Sequence, residues 1–242
     1  MVFHQAGCVV ADFDVHAAVA HDRDQTPAVR NRRTGRPSMK RRLIAVAAAM
    51  GLLAMPAWGN DVVNEWASVK ATAPALKPIT VEAKTTALLM LDFMQQNCGK
   101  RPRCLATLPA MKKLLAAARA AKAPVVYSII ANSTPADVLP DVAPQSGEPH
   151  VLSGPDKFLN TDLEKILKDK GIKTVIAVGT SSNGAVLFTA AGAAFRGMNV
   201  VIPVDGMSSV DAVAEYATVI DFQTAPLLSN KTTLTRSDMI KF

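Results

Sequence analysis

Residues 173–197, KTVIAVGTSSNGAVLFTAAGAAFRG, constrain the fold more than any other part of the chain. The apolar run 175–178 is short and β-branched, and Gly179 ends it, which suits a strand covered on both faces in a parallel sheet. The small polar residues Thr180 to Asn183 lead into an apolar run over 185–195, read as a helix that Gly197 stops with a left-handed cap. At a strand-to-helix junction the first N–H groups of the helix lack partners and point beyond the strand end. The junction is therefore an expected site for an anion or oxyanion, with Ser181, Ser182, Asn183 and Gly184 as substrate-binding candidates.

The rest of the domain alternates in the same way. Residues 86–93 (TALLMLDF) read as a buried strand with a carboxylate near its end, 108–122 as an alanine-rich amphipathic helix with Pro109 near its start, and 123–130 as a second strand. Residues 131–155 contain five prolines and no clear period, as in a functional or mobile loop. Thr161 with Glu164 predicts a capping box on a short helix closed by Lys170-Gly171. A strand over 199–204, a helix over 210–227 and a strand over 232–235 complete the pattern. It predicts an α/β fold, three layers α-β-α around a mainly parallel sheet, with ligands bound beyond the carboxyl ends of the strands. Asp92, Asp205 and the 181–185 turn all fall at such ends, where they are candidates to converge.

The first part of the chain reads differently. Residues 1–38 carry Arg23, Arg30, Arg32, Arg33 and Arg36 without a period that buries a face, and read as disordered or as an upstream extension of the reading frame. Residues 39–59 combine Lys40-Arg41-Arg42, an apolar core over 43–55 and the small-residue end Pro56-Ala57-Trp58-Gly59, the pattern of a secretory signal peptide. The core is shorter than the roughly 20 residues of a membrane-spanning helix, so an uncleaved anchor is the weaker alternative. The residues around Arg41-Arg42 fit a twin-arginine signal poorly. Cleavage near Gly59 predicts an N-terminal arm at 60–84 and one domain at 85–242, periplasmic or secreted, with no stable membrane anchor.

Charge argues against nucleic acid as a partner. The whole chain is +7, but the leader holds eight Lys/Arg and four Asp/Glu, leaving the mature part at +3. Phosphate-binding glycine loops are absent, and His150 is the lone histidine of the mature part, so neither a cofactor nor a metal is expected. Cys98 and Cys104 sit six positions apart in the polar loop CGKRPRC and, in an exported chain, most simply form a disulfide. Closing that loop is worth about 2 kcal/mol. The competing reading makes Cys98 a reactive thiol near Asp92.

Two candidates come from the apolar strand and the loop before the 161 helix. Asp92, within LLMLDFM, must find a partner or give up its charge, so it is either an acid–base group or a cap on a neighbouring loop. Lys157 is the one Lys or Arg between Ala123 and the Thr161 helix start, either facing the site or solvated on the surface.

Gly179, Ser182, Ala185 and Val186, with Thr189-Ala190 and Arg196-Gly197, resemble the nucleophile segment of the isochorismatase-like cysteine hydrolases, Gly-x-x-Thr-x-x-Cys-Val. Ser182 takes the Thr place and Ala185 the Cys place. Leu91-Asp92-Phe93 is similar to the family's first catalytic motif, although Gln95 stands farther from the Asp than the family's glutamine does. Lys157 resembles the family's lysine but stands nearer the following helix. The resemblance covers about residues 85–240 and implies a Rossmann-like hydrolase fold, a small-molecule substrate and a homo-oligomer. It also implies that Asp92 handles a proton while Lys157 stabilises developing negative charge. The Asp and two His that hold a metal in nicotinamidase-like relatives are missing.

The alanine restricts the chemistry. Thioester formation needs a thiol at position 185, and His150 has no placement beside Ser181 or Ser182 that would activate a serine. True isochorismatases can carry glycine at the cysteine place and cleave a vinyl ether with the Asp as general acid, and Ala185 resembles that exception. No arginine is assigned to a substrate carboxylate. Two functions remain: a hydrolase working through Asp92 without a thiol, or a catalytically silent relative that binds a ligand or partner.

Overall fold

The computed structural model describes residues 61–70 and 72–242; the expected signal peptide at 39–59 and the segment 1–38 lie outside the described residues. In chain order the first half contains α1 (Val62–Glu65), β1 (Ile79–Thr80), β2 (Thr86–Leu91), α2 (Pro102–Leu105), α3 (Leu108–Ala120), β3 (Val125–Ile129) and β4 (His150–Leu152). The second half contains α4 (Leu163–Asp169), β5 (Thr174–Thr180), α5 (Leu187–Phe195), β6 (Asn199–Pro203) and β7 (Met207–Ser208). It ends with α6 (Ala212–Thr224), α7 (Leu228–Lys231), β8 (Thr232–Thr235) and β9 (Ile240–Lys241).

Every residue of β2 is buried, because each face of the strand has its own apolar layer. Leu88 and Met90 join Met111, Leu114 and Leu115 of α3, whereas Ala87, Leu89 and Leu91 join residues of α4, α5, α6 and α7 on the other side. β5 divides in the same way, Ile176 and Val178 against Val175 and Ala177. Two interleaved apolar sets with a period of two make a strand that only a three-layer α-β-α arrangement can cover.

The main sheet has the order β4-β3-β2-β5-β6-β8, with every neighbouring pair parallel and β7 added beside the end of β5. The chain winds from β2 outward through β3 to β4, then returns to β5 and winds the other way. The reversal lies between β2 and β5, so their carboxyl ends flank the crevice where sheets of this kind bind ligands. There Leu91 pairs with Gly179. Gly179 has φ +141°, and a Cβ on it would stand 2.0 Å from the Leu91 carbonyl oxygen, so only glycine lets the two strands meet beside Asp92.

The proline-rich stretch is pinned in place. It contains two short 3₁₀ turns, Pro135–Asp137 and Pro140–Val142, and the edge strand β4, which the sequence pattern did not reveal because only Val151 of its three residues is buried. Arg119 of α3 donates to both carboxylate oxygens of Glu148 (2.8 and 2.7 Å) and to the Ala143 carbonyl (2.9 Å). The Tyr127 hydroxyl donates to the Val142 carbonyl at 2.9 Å. Burial, with the Glu148 charge adding to it, pushes the Tyr127 phenol well above its ordinary range and keeps it a donor.

The last part of the 60–84 arm is tied to the domain: β1 pairs in parallel with β9, and the Lys77 and Val81 N–H groups donate to the Leu234 and Lys241 carbonyls (3.0 and 2.8 Å). The capping box expected from Thr161 and Glu164 does not form, because the residue at the N-cap is Asp162. Thr161 Oγ1 accepts from the Leu163 N–H at 3.1 Å, but Glu164 reaches outward to Arg196 at 2.6 Å instead of back to the helix start. Gly197 does adopt a left-handed conformation, with φ +84°, and among the described residues no helix is long and apolar enough to cross a membrane.

Gly179→Ala is expected to lower unfolding stability by about 3 kcal/mol or more, measured as the shift in urea midpoint, since neither backbone can retreat. An unchanged midpoint would show that β2 and β5 tolerate a wider separation.

Candidate active site

Asp92 follows the last residue of β2 and takes a left-handed backbone (φ +57°), a conformation open to Asp more readily than to branched residues. This turns its side chain into the crevice end of the sheet, where it is 5% exposed. Ser128 of β3 donates its hydroxyl to Asp92 Oδ1 at 2.6 Å and accepts the Asp92 N–H at 3.2 Å. Lys157 Nζ donates to Asp92 Oδ2 at 2.7 Å and to the Gly154 carbonyl at 2.7 Å. Lys157 is only 1% exposed, so it is neither a solvated surface residue nor free to swing. Both carboxylate oxygens are engaged, and the ammonium has a second acceptor, the conditions under which a buried ion pair is tolerated.

The loop that delivers Lys157 is anchored on α5. Phe158 packs so closely on Gly192 that a Cβ there would stand 2.8 Å from the ring, and the Arg196 guanidinium covers the same ring at 4.4 Å from its centroid. The Lys157 N–H donates to Thr189 Oγ1 at 3.3 Å. The glycine in the middle of an apolar helix therefore has a packing role, bringing the Phe158 loop close enough for the lysine to pass beneath Asp92.

Above the pair lies a cleft of about 340 Å³ lined by Asp92, Arg101, Ser153, Thr180, Ser181, Gly184 and Ala185, among others. The chain enters it from β5 through a cis Thr180-Ser181 peptide. The next five residues, Ser182–Val186, form a π turn, and α5 starts only at Leu187. This differs from the single helix expected over 185–195. Within the π turn the Gly184 and Val186 N–H groups donate to the Ser181 carbonyl (3.2 and 3.1 Å), so the Gly184 N–H is not the unpartnered donor that the sequence suggested.

The expected site residues are partly brought together. Asp92 and Ala185 line the cleft, and Lys157 lies behind Asp92. Ser181 and Gly184 line it too, but Ser182 is fully buried with its hydroxyl accepting from Thr218 (3.3 Å), and Asn183 Oδ1 accepts from Ser209 (2.9 Å). Both side chains are drawn toward the segment carrying α6. Asp205 does not converge on the site; it accepts from the Ser237 N–H and hydroxyl at 2.8 and 2.7 Å and so ties down the chain after β8. Gln95 packs over Gly99, and His150 is exposed on edge strand β4. Cys98 and Cys104 form a disulfide and are fully buried, which removes the reading of Cys98 as a free thiol. Among the described residues, no group of three or more His, Cys, Asp or Glu is placed to hold a metal ion.

Sequence reasoning missed Arg101. Its Nη1 donates to Thr180 Oγ1 at 2.9 Å from within the Cys98–Cys104 ring. The one available signal was its place in a short loop directly after the Asp92 strand.

These features define a doubly wound α/β domain with a small-molecule cleft at its switch point. The isochorismatase domain model matches residues 86–231, and the chain belongs to the isochorismatase family. It is 27% identical over 150 residues to a secreted isochorismatase effector of Verticillium dahliae, a match covering 55% of this chain and 78% of that protein. Its fold is similar to that of a cysteine hydrolase from Pseudomonas syringae pv. phaseolicola (TM-score 0.60, 19% identity, 69% of this chain and 95% of that one). An isochorismatase family protein from Burkholderia thailandensis gives a TM-score of 0.57 at 19% identity, covering 68% of this chain and 97% of that one. N-carbamoylsarcosine amidase from Thermoplasma acidophilum gives 0.55 at 22% identity, with 64% and 97% covered.

Lys157→Met is expected to destabilise the domain by about 3–5 kcal/mol by stranding the Asp92 charge, and the double variant Lys157→Met/Asp92→Asn, which removes both charges and keeps a residue suited to the left-handed backbone, to lose less than Lys157→Met alone. Urea denaturation of the four proteins measures this; additive losses would contradict it.

Proposed function

We propose that this protein is a small-molecule hydrolase that acts without a cysteine nucleophile, using Asp92 as its acid–base group. The observation that supports this most is the buried Asp92–Lys157 pair beneath a cleft whose wall includes Ala185. The step starts from protonated Asp92; when it gives that proton to the substrate, the negative charge left on it is met by the Lys157 ammonium at 2.7 Å and the Ser128 hydroxyl at 2.6 Å, which is the ion pair seen in the structure. Both groups are already in place, so no reorganisation accompanies the transfer.

On a vinyl ether the Asp92 proton adds to the terminal carbon, water adds to the resulting oxocarbenium carbon and returns a proton to Asp92, and the hemiketal passes its hydroxyl proton to the ether oxygen as it expels the alcohol and leaves a ketone. No step needs a covalent enzyme intermediate. Ala185, with no reactive atom, leaves room for substrate where the resemblance puts a thiol.

Residues 39–59 act in this proposal as a signal peptide cleaved on export, and the part that follows is a periplasmic or secreted enzyme. A buried disulfide fits an oxidising compartment. Self-association belongs to the same proposal, supported by the exposed Val213, Tyr216 and Ile220 of α6. Light scattering should then return more than the monomer mass, and a monomer would remove this part.

Ala185 also favours one other reading, a ligand-binding relative that has lost the reaction. Steady-state assays with isochorismate and a panel of small amides and esters separate the two. Asp92→Asn, assayed well below its unfolding transition, should lower kcat by about 10²-fold or more on whichever substrate turns over. An unchanged rate would remove Asp92 from the chemistry, and tight binding without turnover would establish the silent relative.

A further inference from the structure

We propose that Arg101, presented by the Cys98–Cys104 ring, binds a carboxylate of the ligand, and that the disulfide serves the cleft by positioning this arginine. The proposal rests on the cleft being the small-molecule site, but not on any reaction occurring there.

Among the described residues, Arg103, Arg119, Arg196 and Arg236 each pair with a carboxylate: Glu215, Glu148, Glu164 and both Asp205 and Asp238 respectively. Arg101 has no carboxylate within ion-pair reach among those residues, although it is half-buried and lines the cleft. Its side chain makes one hydrogen bond, to Thr180 Oγ1 at 2.9 Å, and the rest of its donor fork is unassigned. Asp92 is not its counter-ion: the two side chains form no ion pair, and the charge of that carboxylate is already balanced by Lys157. The cleft thus keeps one positive charge uncompensated. A planar guanidinium with donors to spare matches a carboxylate in charge and geometry.

A second observation points the same way. Ser153 also belongs to the cleft lining, and its Oγ is buried with no hydrogen-bond partner among the described residues. A buried hydroxyl without a partner is costly, and a ligand oxygen in the cleft would satisfy it.

The ring explains how a long, flexible side chain is kept at the cleft. The Arg101 N–H donates to the Cys98 carbonyl at 3.0 Å, and its own carbonyl accepts from the Cys104 and Leu105 N–H groups at 2.9 and 3.0 Å. With both cysteines buried and bonded, the backbone on each side of Arg101 is fixed, so little ordering is left to be done when an anion binds. Of its charged neighbours in the ring, Lys100 is exposed and Arg103 is turned toward Glu215.

Isothermal titration of the oxidised protein with benzoate, its neutral isostere benzamide and inorganic phosphate tests this without requiring turnover. Benzoate should bind more tightly than either of the others. In Arg101→Gln its Kd should rise at least tenfold while that of benzamide stays unchanged, and Arg101→Lys should recover part of the loss. Cys98→Ala/Cys104→Ala should weaken benzoate and leave benzamide unaffected, an effect that general loosening of the fold would not produce. If that variant does not fold, the same titration on native protein reduced with a phosphine replaces it. No benzoate binding, a preference for phosphate or benzamide, or an unchanged benzoate Kd in Arg101→Gln would overturn the carboxylate assignment. An unchanged benzoate Kd without the disulfide would overturn its positioning role.

Discussion

The ion pair between Asp92 and Lys157 is the interaction on which the arrangement of the site depends. Removing a carboxylate and an ammonium from water carries an effective penalty of several kcal/mol for each ion, which their attraction offsets only with good geometry and no spare polar atoms. Three separate segments meet that condition. Asp92 comes from the end of β2, Ser128 from β3, and Lys157 with the Gly154 carbonyl from the loop before α4. The two glycines that permit close packing, Gly179 between strands and Gly192 beneath Phe158, bring the same segments within reach.

Much of this architecture was legible because the strands at its centre are apolar on both faces. Thr86–Leu91 and Thr174–Thr180 declared themselves by short runs ending in Asp or Gly-Thr, and Thr232–Thr235 fell where the pattern put it. Elements at the edge were less legible. β4 has too few residues for an alternation to register, and β1 depends on a partner, β9, at the far end of the chain. The π turn at Ser182–Val186 shares its small-residue composition with an ordinary helix start, so nothing local distinguishes the two.

The candidate site was readable where a residue violated its local context and opaque where tertiary packing chose among similar side chains. A carboxylate inside LLMLDFM demands a partner whatever the fold. By contrast, Ser181 and Ser182 are equivalent in sequence, yet the first lines the cleft and the second is drawn to Thr218. Asp205 and Asp92 both end strands, but β6 lies one strand away from the switch point and its carboxylate is used to hold Ser237. Arg101 was hidden because what marks it is the lack of a carboxylate partner among the described residues, and a sequence does not show which charges meet.

Chemistry without a thiol is the central claim, and one experiment addresses it most directly. The oxidised protein is incubated with isochorismate and the amide and ester panel, and product release and intact protein mass are followed in the same quenched samples. The account predicts product from at least one substrate, with the protein mass unchanged at every time point. A covalent adduct on Ser181 or any other residue during turnover, or no product from any substrate, would contradict it.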